Sequence, residues 1–170
     1  RGEIMRKGKL TRICHDAGCT VGHCTLRTDT LQTGGTVLLP RPSVLKKKCP
    51  AACHVINGFG KTSGLVQIEE MGTLESPIAM TNTLSVCTVQ QALVKYMLRD
   101  HPEIGTTGGS VNVVVGECND GYLNDIRACC IQEADVYDAI KDAKENFELG
   151  AVGAGRGMRW YEMKGGIGSA

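Results

Sequence analysis

The sequence lacks long apolar runs, is poor in aromatic residues and carries almost no net charge. Aromatic residues make up 4% of its 170 residues, and its formal net charge is +1. No apolar run approaches the roughly 20 residues that a membrane helix requires, and none follows the basic N-terminus as in a signal peptide. A near-neutral chain also gives no electrostatic reason to expect nucleic acid as a partner. We therefore expect neither a membrane nor a nucleic acid among its partners.

Cysteine, by contrast, is abundant, with nine residues. An odd number leaves at least one thiol unpaired. Most of the cysteines lie inside apolar stretches, where free cysteine packs as a small hydrophobic residue. We expect nine reduced, non-catalytic thiols, including Cys118, in a cytoplasmic protein.

The segment from Cys14 to Cys24 raises a metal hypothesis, because it contains three cysteines and two histidines. Its spacing, Cys-x4-Cys-x4-Cys, lacks the Cys-x2-Cys pairing of structural zinc sites. Free cysteine is also among the residues most often simply buried. We therefore favour structural thiols at Cys14, Cys19 and Cys24, and we predict no metal and no cofactor.

Short apolar runs rich in branched residues predict strands, and apolar residues at helical spacing predict helices. The predicted strands are 19–26, 36–39, 51–56, 78–80 and 111–115. The predicted helices are 89–98, which ends before His101-Pro102, and 133–148. The chain is long enough for one domain with a hydrophobic core, and no linker divides it.

The most distinctive stretch is 116–125, Gly-Glu-Cys-Asn-Asp-Gly-Tyr-Leu-Asn-Asp, which follows the predicted strand 111–115. That strand would deliver Glu117, Asp120 and Tyr122 to its exposed end, and a polar cluster on a rigid strand end is a common way to build a site. Asn-Asp-Gly is also a turn signal. Taken alone, the stretch is more simply explained as a hydrogen-bonded turn.

Three further segments have simple structural explanations when each is taken alone. Residues 57–61, Asn-Gly-Phe-Gly-Lys, lack the spacing of a phosphate-binding P-loop and predict a tight turn. Residues 81–85, Thr-Asn-Thr-Leu-Ser, can cap the helix that follows. Residues 164–168, Lys-Gly-Gly-Ile-Gly, would form a mobile tail.

Five motifs nevertheless occur in order along the chain, at 57–61, 69–75, 81–86, 119–125 and 164–168. Together they resemble the self-processing L-aminopeptidase/D-esterase family, which includes D-aminopeptidases, β-peptidyl aminopeptidases and nylon-oligomer hydrolases. The resemblance covers residues 14–170 as the α-chain part of one aminopeptidase domain. It leaves residues 1–13 as a loose lead-in.

The resemblance implies an α/β fold, specifically a four-layer α/β/β/α sandwich in one domain that a β chain completes. A precursor of this family cleaves itself, and the new N-terminal Ser or Thr of the β chain is the nucleophile. We expect this chain to be most of an α subunit that stops before the cleavage site, so Ser169 is not the nucleophile. The β chain would be its partner, and the αβ heterodimers would assemble into a homo-oligomer, such as a tetramer of heterodimers.

The resemblance also assigns Tyr122 and Lys164 to the catalytic neighbourhood. A terminal hydroxyl needs a base, which its own α-amine or a lysine of lowered pKa can provide, and the tetrahedral intermediate needs hydrogen-bond donors. Asp120 is the first choice for binding the free N-terminal amine of a peptide, amide or ester substrate, Glu117 is the second, and Asn119 adjoins them. Four residues are expected to support the site structurally: Asn57, Asn82, Gly165 and Gly166.

Two segments depart from the family's pattern. Where the family often has Asp-Val-Pro-Gly, residues 15–18 are His-Asp-Ala-Gly. Where it often has Asn-Val-Gly-Ala-Gly-Thr-Gly, residues 151–157 are Ala-Val-Gly-Ala-Gly-Arg-Gly. Ala151 lacks an amide side chain, and Arg156 adds a charge near the expected site. We expect these changes to alter substrate preference more than fold.

Two other functions stay open from the sequence. Ornithine acetyltransferases share the general fold and self-cleavage, although their motifs do not match here, so an acyltransferase is one alternative. A non-catalytic binding or assembly subunit is the other. A Gly-Ser or Gly-Thr junction before an apolar strand downstream would favour the hydrolase over both.

Overall fold

A four-stranded mixed sheet forms the centre of this single α/β domain in the computed structural model, which describes residues 12–14 and 18–169. The strands are β1 (Thr20–Arg27), β2 (Gln32–Leu39), β3 (Cys49–Pro50), β4 (Thr73–Leu74), β5 (Ile78–Thr81), β6 (Val114–Glu117), β7 (Arg159–Trp160) and β8 (Met163–Lys164). The helices are α1 (Leu65–Met71), α2 (Val86–Asp100) and α3 (Glu133–Lys141). None of the helices in the described residues is long and apolar enough to cross a membrane.

The central sheet has the spatial order β1-β2-β5-β6. β1 and β5 each pair antiparallel with β2, whereas β5 and β6 are parallel. β3 with β4 and β7 with β8 form two small antiparallel pairs outside this sheet. The parallel pair brings the C-terminal ends of β5 and β6 to the same edge, so the polar stretch after β6 lies beside residues 81–85.

Helices α2 and α3 cover one face of the sheet. Val37 and Val115 belong to the buried core on this face, and Leu93 of α2 and Ala139 of α3 join them there. Burying each large apolar side chain contributes about 1.5–3 kcal/mol. Glycine at position 22 permits the close approach of α3, because a Cβ there would lie 2.0 Å from the Ala139 carbonyl oxygen.

The opposite face of the sheet is covered at β1 and β2 by residues 150–157. The backbone N–H of Ala154 donates to the Thr36 hydroxyl at 3.0 Å. Met80 is the register partner of Thr36 on β5, so the two side chains lie on the same face. The segment that leads to Lys164 therefore runs across this face, away from α2 and α3.

Most predicted strands are found, at 19–26 (β1), 36–39 (part of β2) and 78–80 (part of β5). The strand predicted at 111–115 is displaced, because β6 begins at Val114 and runs into the polar stretch as far as Glu117. Asn112 lies outside the strand because its backbone N–H and its side-chain amide both donate to Glu75, at 2.8 and 3.0 Å.

The predicted strand 51–56 is wrong. Only Cys49 and Pro50 pair with β4, and Val55 and Ile56 are exposed, Ile56 at 92%. An apolar run becomes a strand only where it finds a partner strand, and beyond Pro50 the described residues supply none.

The predicted helix 89–98 is confirmed within α2, which begins earlier, at Val86, and ends before His101. The predicted cap is also confirmed. The Asn82 side-chain oxygen accepts the N–H of Ser85 at 3.1 Å, at the start of the short 3-10 turn that leads into α2.

The predicted helix 133–148 is too long, since α3 ends at Lys141. Lys144 instead pairs with Val21 in an isolated β-bridge. Phe147 is buried in a second, smaller apolar cluster that also contains Val21. These tertiary contacts override a local pattern that by itself continues the helix.

The mobile tail predicted at 164–168 is also wrong. Ile167 and Gly150 exchange two backbone hydrogen bonds, of 2.8 and 2.7 Å. Glycine at 166 is needed for this approach, because a Cβ there would lie 2.4 Å from the Gly150 carbonyl oxygen. The segment carrying Lys164 is therefore fixed against residues 150–157.

Most of the predicted lead-in, residues 1–11, lies outside the described residues, as does the His-Asp-Ala sequence at 15–17. At the end of the lead-in, the backbone N–H of Ile13 donates to the Ser169 hydroxyl at 2.9 Å. The two ends of the described chain thus lie side by side.

All nine cysteines are free thiols. The Cys14 and Cys19 sulfur atoms are 3.1 Å apart and buried, and burial, reinforced by Cys19, raises the pKa of Cys14 to about 12. Cys24 instead donates to the Asp135 carboxylate at 3.4 Å. Across residues 12–14 and 18–169, no group of three or more His, Cys, Asp or Glu side chains is arranged to hold a metal ion.

Candidate functional site

The polar stretch after β6 forms a tight turn. The Asn119 side-chain oxygen accepts the N–H of Gly121 at 3.1 Å. The Asp120 carbonyl oxygen accepts the N–H of Leu123 at 3.0 Å. These bonds are the turn that Asn-Asp-Gly predicts, and they leave Tyr122 73% exposed at its tip.

Asp120 lies beneath this turn. Its side chain is 1% exposed, and its carboxylate accepts from the Asn124 amide at 3.1 Å and from the Thr33 hydroxyl. Thr33 in turn accepts from the Asn82 amide at 3.0 Å, so a buried network joins the motifs at 81–86 and 119–125. Burial raises the pKa of Asp120, although Thr33 and Asn124 oppose the shift. The Asp120 carboxylate is therefore buried and hydrogen-bonded within this chain.

We expect Asp120→Ala to destabilise the protein by about 1–3 kcal/mol, because it leaves the Asn124 and Thr33 donors unpaired. Asp120→Asn keeps an acceptor for Asn124 and should lose much less. Because the pKa of Asp120 is raised in the folded protein, its contribution to the free energy of unfolding falls as the pH rises through that pKa. The stability of Asp120→Asn relative to the wild type should therefore increase over that pH range.

Thermal unfolding of both variants across pH tests this expectation. If Asp120→Asn and Asp120→Ala left stability equally unchanged while raising KM for substrates with a free amine, Asp120 would be a substrate-binding group and not a structural one.

Glu117 is the more accessible of the two carboxylates. It accepts from the Thr83 hydroxyl at 2.6 Å and from the backbone N–H of Lys61. Burial raises the pKa of Glu117, but hydrogen bonds from Thr83 and Lys61 and the Lys61 charge outweigh it, so the pKa is lowered and the group stays ionised. The loop that supplies Lys61 is shaped by Asn57, whose side-chain oxygen accepts the N–H of Phe59 at 3.2 Å.

Lys164 is held by backbone carbonyl groups. Its amine donates to the carbonyl oxygens of Gly155, Met158 and Gly165 at 3.2, 3.1 and 2.5 Å. Among the described residues it makes no salt bridge with a carboxylate. Burial lowers the pKa of Lys164, and the nearby charge of Arg156 lowers it further. Both effects favour the neutral amine, the form that can accept a proton.

Tyr122 and Lys164 line the same cavity, of about 230 Å³, which we call the lysine cavity. Neither Glu117 nor Asp120 lines it.

A neighbouring cavity of about 430 Å³, the glycine cavity, lies between Met80 and Cys118 on one side and the glycine-rich segments on the other. Burial raises the pKa of Cys118 to about 11, and the Asp120 and Glu117 charges add to the shift, so its thiol is neutral at physiological pH.

Arg159 is the site residue that sequence reasoning missed. Its guanidinium carbon lies 3.9 Å from the centroid of the Tyr122 ring, and the residue lines both the lysine cavity and the glycine cavity. It lies outside the five motifs, and its position depends on the pairing of β7 with β8, which places it opposite Lys164. The residues around Arg159 in the sequence contain no pattern that predicts its contact with Tyr122.

Comparison with known proteins identifies related peptidases. The model of Peptidase family S58 matches residues 12–170. The beta-peptidyl aminopeptidase BapA of Sphingosinicella microcystinivorans is 31% identical over 175 residues, which cover 97% of this chain and 43% of that protein.

Two solved structures share the fold. The PH0078 protein from Pyrococcus horikoshii OT3 is 43% identical, with a TM-score of 0.89, over 95% of this chain and 48% of that one. The L-aminopeptidase D-Ala-esterase/amidase from Ochrobactrum anthropi, described as a new variant among the Ntn hydrolase fold, is 26% identical, with a TM-score of 0.80, over 94% of this chain and 48% of that one. The chain thus spans less than half the length of each of these relatives.

Proposed function

The chain belongs to peptidase family S58, and on that premise we propose that it is the α subunit of a self-cleaving, N-terminal-nucleophile amide hydrolase. A β chain from the same precursor would be its partner, a proposal supported by the 43% of the BapA length that this chain spans. The substrates would be peptides, amides or esters with a free N-terminal amine, in keeping with the aminopeptidase names of its relatives.

One observation carries the proposal: Lys164 and the exposed Tyr122 line the same cavity. Burial and Arg156 lower the pKa of Lys164, so a larger fraction of the amine is neutral at a given pH and can take the proton of a hydroxyl. We assign that proton transfer to Lys164. Tyr122 would orient the nucleophile or stabilise the oxyanion, and the nucleophile itself would be a Ser or Thr of the β chain.

Binding of the substrate amine is assigned to Glu117 in preference to Asp120. An ammonium group needs a carboxylate that it can reach, and Asp120 is buried beneath its turn. Glu117 stays ionised and is only partly covered by Thr83 and Lys61. Asn119, in the exposed turn beside them, would complete the polar surface.

The four-layer α/β/β/α sandwich is part of the same proposal. Helices α2 and α3 and the central sheet would be the first two layers. The second sheet would be contributed largely by the β chain. Assembly of the αβ heterodimers into a homo-oligomer and a cytoplasmic location remain predictions.

We expect Arg156→Gln to shift the pH dependence of hydrolysis. Removing the positive charge raises the pKa of Lys164, so the limb of kcat/KM that depends on a neutral Lys164 should move to higher pH. Arg156→Lys keeps a positive charge and serves as the matched control. If both variants displaced the limb equally, or neither did, the charge at 156 would not tune Lys164.

A direct assay tests the function. The full-length protein is incubated with L-, D- and β-alanyl peptides, each with a free or an acetylated N-terminus, and release of the first residue is measured. We expect hydrolysis only where the amine is free. Absence of hydrolysis from every substrate, or transfer of the acyl group to an added amine in place of water, would contradict the proposal.

A further inference from the structure

Arg159 gives the glycine cavity an unusual combination of charge and apolar surface. The walls of this cavity are formed by Met80, Met158, Trp160 and Ile167, by four glycine residues and by the neutral thiol of Cys118. Among the described residues that line it, Arg159 alone carries a charge at neutral pH. Such a cavity fits a ligand that is apolar over most of its surface and anionic at one end.

The charge of Arg159 is weakly neutralised. Its nearest carboxylate partner among the described residues is Glu162, at 3.4 Å, and the Glu162 side chain is 88% exposed. An ion pair in water contributes only about 0–1 kcal/mol, so a ligand carboxylate can replace Glu162 at little cost.

The contact with Tyr122 holds the guanidinium of Arg159 in place. Its central carbon lies over the Tyr122 ring, 3.9 Å from the centroid, which is within the range of a cation–π interaction. A planar guanidinium edge matches the two oxygens of a carboxylate. The ring that holds Arg159 is the same Tyr122 that lines the lysine cavity, so an anion bound here would lie next to the proposed reaction centre.

We propose that Arg159 binds the free C-terminal carboxylate of the substrate on its leaving-group side, and that the preferred substrates are short peptides with an apolar second residue. This inference rests on the proposed hydrolase function. The amine end of such a substrate is positively charged and is repelled by Arg159, whereas the carboxylate end is attracted. The apolar side chain or aliphatic chain of the leaving residue would contact Met80, Met158 and Trp160 in the glycine cavity.

The test compares two forms of one dipeptide, alanyl-leucine as the free acid and as the C-terminal amide, in whichever L, D or β series the full-length protein hydrolyses. For the wild type we expect kcat/KM to be about tenfold or more higher for the acid, the size that a charged hydrogen-bonded pair supports. Arg159→Gln should raise KM for the acid by about tenfold and leave KM for the amide nearly unchanged. Arg159→Lys should retain part of the preference.

Arg99→Gln is the matched control, since Arg99 stacks in the same way over Tyr137, at 4.1 Å, on the helical side of the domain. It should leave both KM values unchanged. A second measurement needs no variant: leucine should inhibit hydrolysis of the amide substrate in the wild type, and leucinamide should not.

The outcomes separate the two proposals. Three outcomes would overturn the role of Arg159 alone. They are equal kcat/KM for the acid and the amide in the wild type, an equal change in KM for both in Arg159→Gln, and equal inhibition by leucine and leucinamide. Failure of the wild type to hydrolyse either form, with N-terminal release absent from all other peptides, would overturn the hydrolase function and this inference with it.

Discussion

Lys164→Ala is expected to slow both self-cleavage of the full-length precursor and amide hydrolysis by on the order of 10²- to 10⁴-fold, the usual cost of losing a positioned base. The physical reason lies in the surroundings of the amine. Three carbonyl oxygens position it in the lysine cavity, no described carboxylate forms a salt bridge with it, and burial together with Arg156 lowers its pKa. Cleavage is followed by denaturing gel, and turnover by release of the N-terminal residue.

Two further variants separate catalysis from structure. Lys164→Arg keeps donors for the carbonyl groups but cannot give up its proton, so it should fold and remain inactive. Lys141→Ala removes an exposed lysine whose only described partner is Asp138 and should change neither cleavage nor turnover. Full activity of Lys164→Arg would show that Lys164 is not the base.

Gly166→Ala should be nearly as damaging, although it removes no functional group. An added Cβ would lie 2.4 Å from the Gly150 carbonyl oxygen, so the strand-like pairing of residues 150 and 167 must open. Lys164 is two residues away and would be displaced from its carbonyl ligands. Misplacing a catalytic group by about 1 Å can cost on the order of 10²-fold in rate. We expect a loss of that size, together with a lower unfolding temperature.

Gly168→Ala is the control within the same motif. A Cβ at 168 would meet no described atom within 4 Å, so this variant should retain self-cleavage and stability. If Gly168→Ala and Gly166→Ala had equal effects, close packing against Gly150 would not be what fixes Lys164.

Sequence reasoning succeeded where local chemistry decides the structure. The alternation of β1 and the helical spacing of α2 predict those elements, and the Asn82 cap and the Asn-Asp-Gly turn follow from side-chain hydrogen bonds to neighbouring backbone groups. It failed where contacts between residues far apart in the sequence determine the structure. Residues 51–56 find no partner strand among the described residues, and Phe147 leaves the predicted helix to enter a separate apolar cluster.

The site shows the same division. The family resemblance predicted one pocket for Tyr122, Lys164 and Asp120; Tyr122 and Lys164 line the lysine cavity, and Asp120 does not. The burial of Asp120 could not be inferred, because Thr33 comes from β2 and Asn82 from the turn before α2. Arg159 could not be inferred either, since its contact with Tyr122 joins a hairpin strand to a turn after β6.

The most direct test is the intact mass and N-terminal sequence of the full-length protein after expression, compared with its Lys164→Ala variant. We expect the wild type to consist of two chains, the second beginning with Ser or Thr at a point downstream of the Lys-Gly-Gly-Ile-Gly motif, and the variant to remain one uncleaved precursor. A wild type that hydrolyses peptides as a single intact chain, or a Lys164→Ala precursor that cleaves at the wild-type rate, would contradict the central role given to Lys164.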